Sequence, residues 1–436
     1  MPPRISVRLE QASPAVFSAY CIAASFGVYF CMYAFRKPFT AGTFSGVELY
    51  GLDYKTVLVV SQVLGYTLSK FIGIRFIAEA RPGRRAASIV ALIAAAHAAL
   101  LLFGVVPSPY NFVFLFLNGL PLGMVFGLVL GFLEGRRVTE ALSAGLCASF
   151  IVSSGAVKTV GQALLLWGGV SEYWMPFVTG LVFWPPLLVC VWLLAQIPAP
   201  TQADVALRAE RTPIDRVARR ALLRRHGVGL LLLVAVFTLL TILRSVRDDF
   251  AVEVWSALGY DKTPSVFTIS ETLVMFAAIA INGLAFLIPD NRTAFFTAIY
   301  TILAGFVVIG LVTLLYLGGG VDGFTYMVVV GIGAYVPYVA FHTTLFERMI
   351  ALFRDRANLG YLMYLADAFG YLGYVLVLLA KDVASFEANY LRLLIGASLA
   401  VSLASLVMMG LAYFYFRRQT DAARFEQPAL AAAHGS

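Results

Sequence analysis

Charge is scarce in this sequence. Of 436 residues only 13% are Asp, Glu, Lys or Arg, against roughly 25% in an average soluble domain, which excludes a water-soluble surface for a chain of this size. Cysteine and histidine are rarer still, at four each. Cys21, Cys31, Cys147 and Cys190 all lie in apolar stretches, with no CxxC pair and no histidine at ligand spacing, so neither a disulfide framework nor a metal site is expected. The glycines at 119–131 and 145–161 follow no strand and sit in apolar surroundings. A phosphate-cradling loop is thereby excluded, and they read as close-packing positions between helices. No set of nucleophile, base and oxyanion donor stands out, so neither an enzyme nor a bound cofactor is expected.

What the chain has instead is apolar length: 60% of its residues are hydrophobic and the mean hydropathy is +0.84. These residues fall into blocks of about 20, the length that crosses a hydrocarbon core of about 30 Å at 1.5 Å per residue. The blocks predict helices at 15–38, 55–78, 86–106, 110–133, 140–166, 172–196, 227–249, 263–288, 293–316, 323–346, 357–380 and 388–416. The first is longer than a signal-peptide core and is followed by Arg36-Lys37-Pro38 rather than a cleavage site, so it is expected to stay. An all-α integral membrane protein of about twelve spanning helices is the expectation.

The longest polar stretch, 197–226, carries Pro198, Pro200, Pro213 and seven arginines, and it divides six helices from six. The expected organisation is a bundle over 1–196, a basic linker over 197–226, a second bundle over 227–418 and a tail over 419–436. Of the 32 Lys and Arg, 21 fall on the side shared by the termini, 5 on the other side and 6 inside helices. The positive-inside rule then places the termini and the linker in the cytoplasm, in a multi-pass protein of the cell inner membrane. The net charge of +8 is thereby accounted for by the lipid bilayer. The arginines are scattered in short loops beside helix ends, which suits headgroups and not nucleic acid. The chain is taken as a monomer.

A charge at the bilayer centre costs about 2.5–3.5 kcal/mol on insertion scales, so a retained one faces a cavity or a partner. The six cations inside helices are Arg36, Lys70, Arg75, Lys158, Arg244 and Arg247. Arg75 is close enough to a helix end to snorkel, and Arg247 is followed by Asp248 and Asp249, which can neutralise it. Arg36 closes the first helix and Arg244 lies near the end of the seventh. If the halves are pseudo-symmetric repeats, these two face each other across a central cavity. Arginine offers a planar fork for phosphate or carboxylate and lysine a movable point charge, so with Lys70 and Lys158 they describe an anion site. Glu271 and Asp367 either carry a proton or pair with a buried cation, and His342 is either a proton relay or a hydrogen-bonded packing residue. Tyr29, Tyr33 and Tyr66 lie within two turns of Arg36 or Lys70 and can donate to the anion.

Several strings resemble the organophosphate:phosphate antiporter family of the major facilitator superfamily. Tyr33-Ala34-Phe35-Arg36-Lys37-Pro38-Phe39 is similar to that family's Tyr-x-x-Arg-Lys-x-Phe, and Gly65-Tyr66-Thr67-Leu68-Ser69-Lys70-Phe71-Ile72 to its Ser-Lys-Phe segment. Leu243-Arg244 followed by Asp249 resembles its second phosphate-binding arginine and the aspartate beyond it. Shorter matches surround Lys158, where the family often has a histidine, Glu271, Tyr335 to Glu347, and Phe369 to Gly373. The loop after the second helix, Ala78 to Arg85, is out of step with the superfamily's gating pattern, as befits a divergent member.

The resemblance implies a major facilitator fold of two six-helix bundles and alternating-access transport of a small anionic solute, an organophosphate, with phosphate as the exchanged ion. Arg36 and Arg244 would clamp the anion, Lys70 and Lys158 would add charge, and Asp249, Glu271 or Asp367 would pair with the cations in the empty site. Two other readings stay open: proton-coupled symport of a carboxylate or other anion, and a sugar-phosphate sensor of the same fold that does not transport.

Overall fold

The computed structural model describes residues 4–79, 82–133, 139–199, 216–285, 287–353, 359–383 and 389–433. Twelve long helices carry them: α1 (Pro14–Tyr33), α2 (Tyr54–Glu79), α3 (Arg85–Val105), α4 (Phe112–Leu133), α5 (Thr139–Leu166), α6 (Met175–Ala195), α7 (Arg216–Asp249), α8 (Ser265–Ala285), α9 (Asn291–Leu317), α10 (Gly323–Phe353), α11 (Leu359–Val383) and α12 (Tyr390–Ala433). Eleven are long and apolar enough to cross a membrane, and the remaining one, α2, carries Lys55, Gln62, Ser69 and Lys70 along its length. Phe71, Phe276, Leu403 and Phe414 are each more than half exposed, while Asn118, Ser149, Ser153 and Lys158 are buried. Apolar groups outside and polar groups inside suit lipid as the solvent. The protein is a multi-pass α-helical membrane protein.

The packing repeats under a shift of six helices. In the first half α1 lies on α5 and α6, α2 on α4, and α3 on α4 and α6; in the second α7 lies on α11 and α12, α8 on α10, and α9 on α10 and α12. The two largest pairings between the halves are α5 with α8 and α2 with α11, and the same shift exchanges them. Arg36 lies beside α1 and Arg244 on α7, so they belong to corresponding helices of the repeat.

The crossing of α5 and α8 depends on a missing side chain. A Cβ on Gly155 would run into the carbonyl oxygen of Phe267 and come within 2.8 Å of Glu271 Cγ. Thr159, one turn on, donates to the carbonyl of Pro264 at 2.7 Å. Gly155→Val therefore pushes the halves apart at this seam, at a cost of about 1–3 kcal/mol for overpacking. Thermal unfolding in detergent should show a lowered melting temperature; an unchanged one would mean that the backbones do not touch there.

Four helices differ from the hydropathy reading: α10 runs on to Phe353 instead of ending at 346, and α1, α7 and α12 also change their bounds. Proline has no N–H to continue the ladder, and Pro38 stops α1 short: the helix ends at Tyr33, not at 38. Arg36 therefore does not close a helix but sits in the turn beyond it, ahead of a 3₁₀ turn over Pro38–Ala41. At the other extreme, α7 starts at Arg216 instead of 227 because Ala218 to Arg225 is rich in good helix formers. α12 continues past 416 to Ala433. Within α10 the ladder slips into a single π-turn over Phe341–Leu345, just after Pro337. Proline removes a ladder bond, and π-turns of this kind often mark functional positions.

Candidate functional site

Beyond Tyr33 the chain turns inward, and residues 34–42 are buried. Buried carbonyls need donors, and here amide side chains of other helices supply them. Asn118 on α4 donates to Phe35 O at 2.9 Å, and Gln62 on α2 donates to Arg36 O at 2.6 Å and to Asn118 Oδ1 at 2.8 Å. The amides of Arg36 and Lys37 both donate to Tyr33 O, at 3.0 and 2.9 Å. Arg36 is thus fixed by its backbone, which leaves its side chain free for other work. Its guanidinium lies 3.8 Å from the Tyr66 ring centroid and 5.7 Å from that of Tyr33, a cation–π arrangement.

Arg244 is held in the same manner by the other half. Its guanidinium is 4.6 Å from the ring centre of Tyr338 and 5.8 Å from that of Tyr335, both on α10. Tyr33 and Tyr371 interact electrostatically with both arginines, which places the two in one neighbourhood. Tyr29 completes the aromatic surround, with its ring 5.6 Å from that of Tyr33. Both arginines are buried, and the Nε of each makes no hydrogen bond. Arg244 acts electrostatically on Asp367 from longer range, but among the described residues neither arginine forms a salt bridge.

Five other cations of the interior each do. Lys158 contacts Asp248 and Ser154, both at 2.6 Å, and Ser154 donates to Asp248 at 2.5 Å. Lys37 reaches Asp248 at 2.9 Å and also pairs with Asp249, which accepts from Tyr374 at 2.9 Å. Arg247 binds Glu271 at 2.7 Å and the carbonyl of Met327. Lys70 pairs with Asp367, and His342 Nε2 is 3.9 Å from the same carboxylate. Lys55 pairs with Glu253 and donates to Thr40 O at 3.1 Å.

Several expectations change. Asp248 and Asp249 do not neutralise Arg247, since neighbouring positions on a helix point different ways; they serve Lys158 and Lys37, and Glu271 serves Arg247. Lys37 and Lys55, which hydropathy leaves at helix ends on the far side, are buried and ion-paired. The adjacency of Lys37 to Arg36 and Pro38 was the available signal for the first; nothing marked Lys55, Glu253, Gln62 or Asn118. The side chain of Arg75 lies outside the described residues.

The pairs also have an order. Lys55 and Lys70 are separated by about 22 Å along α2 at 1.5 Å per residue, and Tyr66, which carries Arg36, lies between them. Lys55–Glu253 and Lys70–Asp367 both join the first half to the second. Arg36 therefore lies between two ion pairs that tie the halves together.

Solved structures share this architecture. The nucleoside transporter NupG matches with a TM-score of 0.60 at 12% identity, over 92% of this chain and 98% of that one. A point mutant of the same transporter matches at 0.59 and 12%, over 90% and 99%. A D-xylose-proton symporter matches at 0.57 and 15%, over 90% and 97%. At such identities the likeness establishes the fold, that of the major facilitator transporters. No curated protein matches the sequence. The family model that does match, described as a family of unknown function, spans residues 38–419, from the proline that ends the Arg36 turn to the last turns of α12, and the chain belongs to that family, DUF5690.

Proposed function

We propose that the protein is a secondary transporter that carries a small dianionic solute, an organophosphate, across the inner membrane by alternating access, in exchange for phosphate. The observation that supports it is the pair Arg36 and Arg244: two buried cations that form no salt bridge among the described residues, beside five others that each form one. Burying an uncompensated charge is costly, so two of them together suit a ligand with two negative charges. A phosphate monoester carries ≈ −1.5 to −2 near neutral pH and three acceptor oxygens, a match for two guanidinium forks. Neutral solutes such as a nucleoside or D-xylose, named for the proteins that share the fold, give no reason for such a pair.

Exchange follows from the same charges. A carrier that reoriented empty would move two bare cations past apolar surroundings, whereas a loaded one moves a neutralised site. In proteoliposomes loaded with phosphate, labelled glycerol phosphate should enter readily, and uptake should fall sharply when the interior holds no anion. Equal uptake without internal anion, driven by an inward proton gradient, would replace exchange by symport. No uptake under either condition would end the transport assignment.

A further inference from the structure

His342 has a place in the site that anion clamping does not use. It sits in the π-turn of α10, and its Nδ1 lies 2.9 Å from the carbonyl oxygen of Tyr338. A carbonyl can only accept, so the proton of the neutral ring resides on Nδ1. Nε2 then turns a bare lone pair toward Asp367 Oδ1, 3.9 Å away. The other oxygen of that carboxylate, Oδ2, is the one that holds Lys70. Each partner of Asp367 therefore has its own oxygen. The charged and titratable groups around the imidazole are Tyr338 on its own helix, Asp367 on α11, Lys70 on α2 and Arg244 on α7; Phe237 of α7 covers it from the side.

Lys70 is also within reach of the clamp. Its ammonium lies 5.4 Å from the ring centre of Tyr66, the ring that carries Arg36, and 5.1 Å from that of Tyr371. A dianion seated between the arginines competes with Asp367 for this lysine. Once Lys70 leaves, Asp367 is a buried carboxylate with no salt bridge, since Arg244 acts on it only from longer range, an unfavourable state. The nearest remedy is a proton on His342 Nε2, which turns a lone pair facing a carboxylate into an imidazolium–carboxylate pair.

We infer that His342 is a proton-binding site that fills as the anion binds: Lys70 moves from Asp367 to the anion, and a proton from solvent on His342 takes its place. The inference rests on the anion reading above and adds a coupled ion to it, since each anion then crosses with a proton whether the carrier exchanges or co-transports.

The test is calorimetric titration of the purified protein with glycerol phosphate at pH 8, well above the ester's second pKa of about 6, in two buffers of different ionisation enthalpy. The wild type should take up about one proton per ester bound, the capacity of one imidazole. His342→Gln should still bind the ester and take up none. Asp367→Asn should also take up none, because a neutral amide needs no cation. It should bind the ester about tenfold more tightly, the scale of one charge-assisted hydrogen bond, because Lys70 is already released. Binding by the wild type without proton uptake, or uptake that survives in His342→Gln, overturns the inference and leaves the clamp standing. Absence of binding in the wild type overturns both.

Discussion

Arg36→Lys should slow uptake of a phosphate ester into phosphate-loaded liposomes by about a hundredfold or more. The substitution keeps the positive charge and so tests the fork and not the field. A guanidinium stacked on Tyr66 presents its edge N–H groups in one plane, where two can meet two oxygens of the same phosphate. An ammonium meets them as a point, from a stem that must hold it against Tyr66 without the flat contact. Hydrogen bonds to charged groups contribute about 1.5–3 kcal/mol each, and the loss of two corresponds to two or more decades in binding. Stability of the unloaded protein should hardly change, because Arg36 faces no acid among the described residues and its Nε has no hydrogen bond to lose. The two readings separate a ligand group from a structural one. Initial rates of labelled uptake beside melting curves of the same preparation decide it, and uptake at the parental rate would remove Arg36 from the clamp. Arg244→Lys should behave alike, since Tyr338 and Tyr335 hold it in the same geometry.

Arg36, Lys70, Lys158, Arg244, Glu271 and Asp367 were legible in the sequence for one physical reason: a charge inside a run of apolar residues is expensive enough to need an explanation. The same rule is blind at the ends of runs. Lys37 and Lys55 stand where a hydropathy profile passes into loop, and only the inward fold of residues 34–42 buries them. Partners were less legible than charges. Adjacency offered Asp248 and Asp249 to Arg247, whereas helix geometry sends Arg247 to Glu271 and the two aspartates to Lys158 and Lys37. Neutral polar residues gave no signal at all. Gln62 and Asn118 cost little in an apolar helix, yet they position Arg36 by capping the carbonyls that Pro38 sets free. The π-turn that aims His342 has Pro337 as its one sequence trace, and proline alone does not distinguish a kink from a shifted ladder.

Asp248→Asn should be among the most destabilising single substitutions in the interior, by about 3–5 kcal/mol, the scale found when one member of a buried ion pair is removed. Asparagine preserves the shape and one acceptor, so the effect isolates the charge. Lys158 is only 2% exposed, and besides Asp248 its ammonium contacts the hydroxyl of Ser154; without the carboxylate it becomes a buried cation with one neutral partner. Lys37 is spared, because it keeps Asp249. The melting temperature in detergent should fall by roughly 10 °C, if a few degrees accompany each kcal/mol as in soluble domains of 150–250 residues. Lys158→Met should cost less, since Asp248 retains Lys37 at 2.9 Å. The combined variant, Asp248→Asn with Lys158→Met, should recover much of the loss, because it removes the stranded charge together with the pair. It should not recover all, since Lys37 still misses its second carboxylate. That non-additivity is the signature of direct coupling between the two groups. If the double variant were as unstable as the sum of the single ones, Asp248 would be stabilising the protein by something other than its charge, and the assignment of Lys158 to a closed pair between α5 and α7 would fall with it.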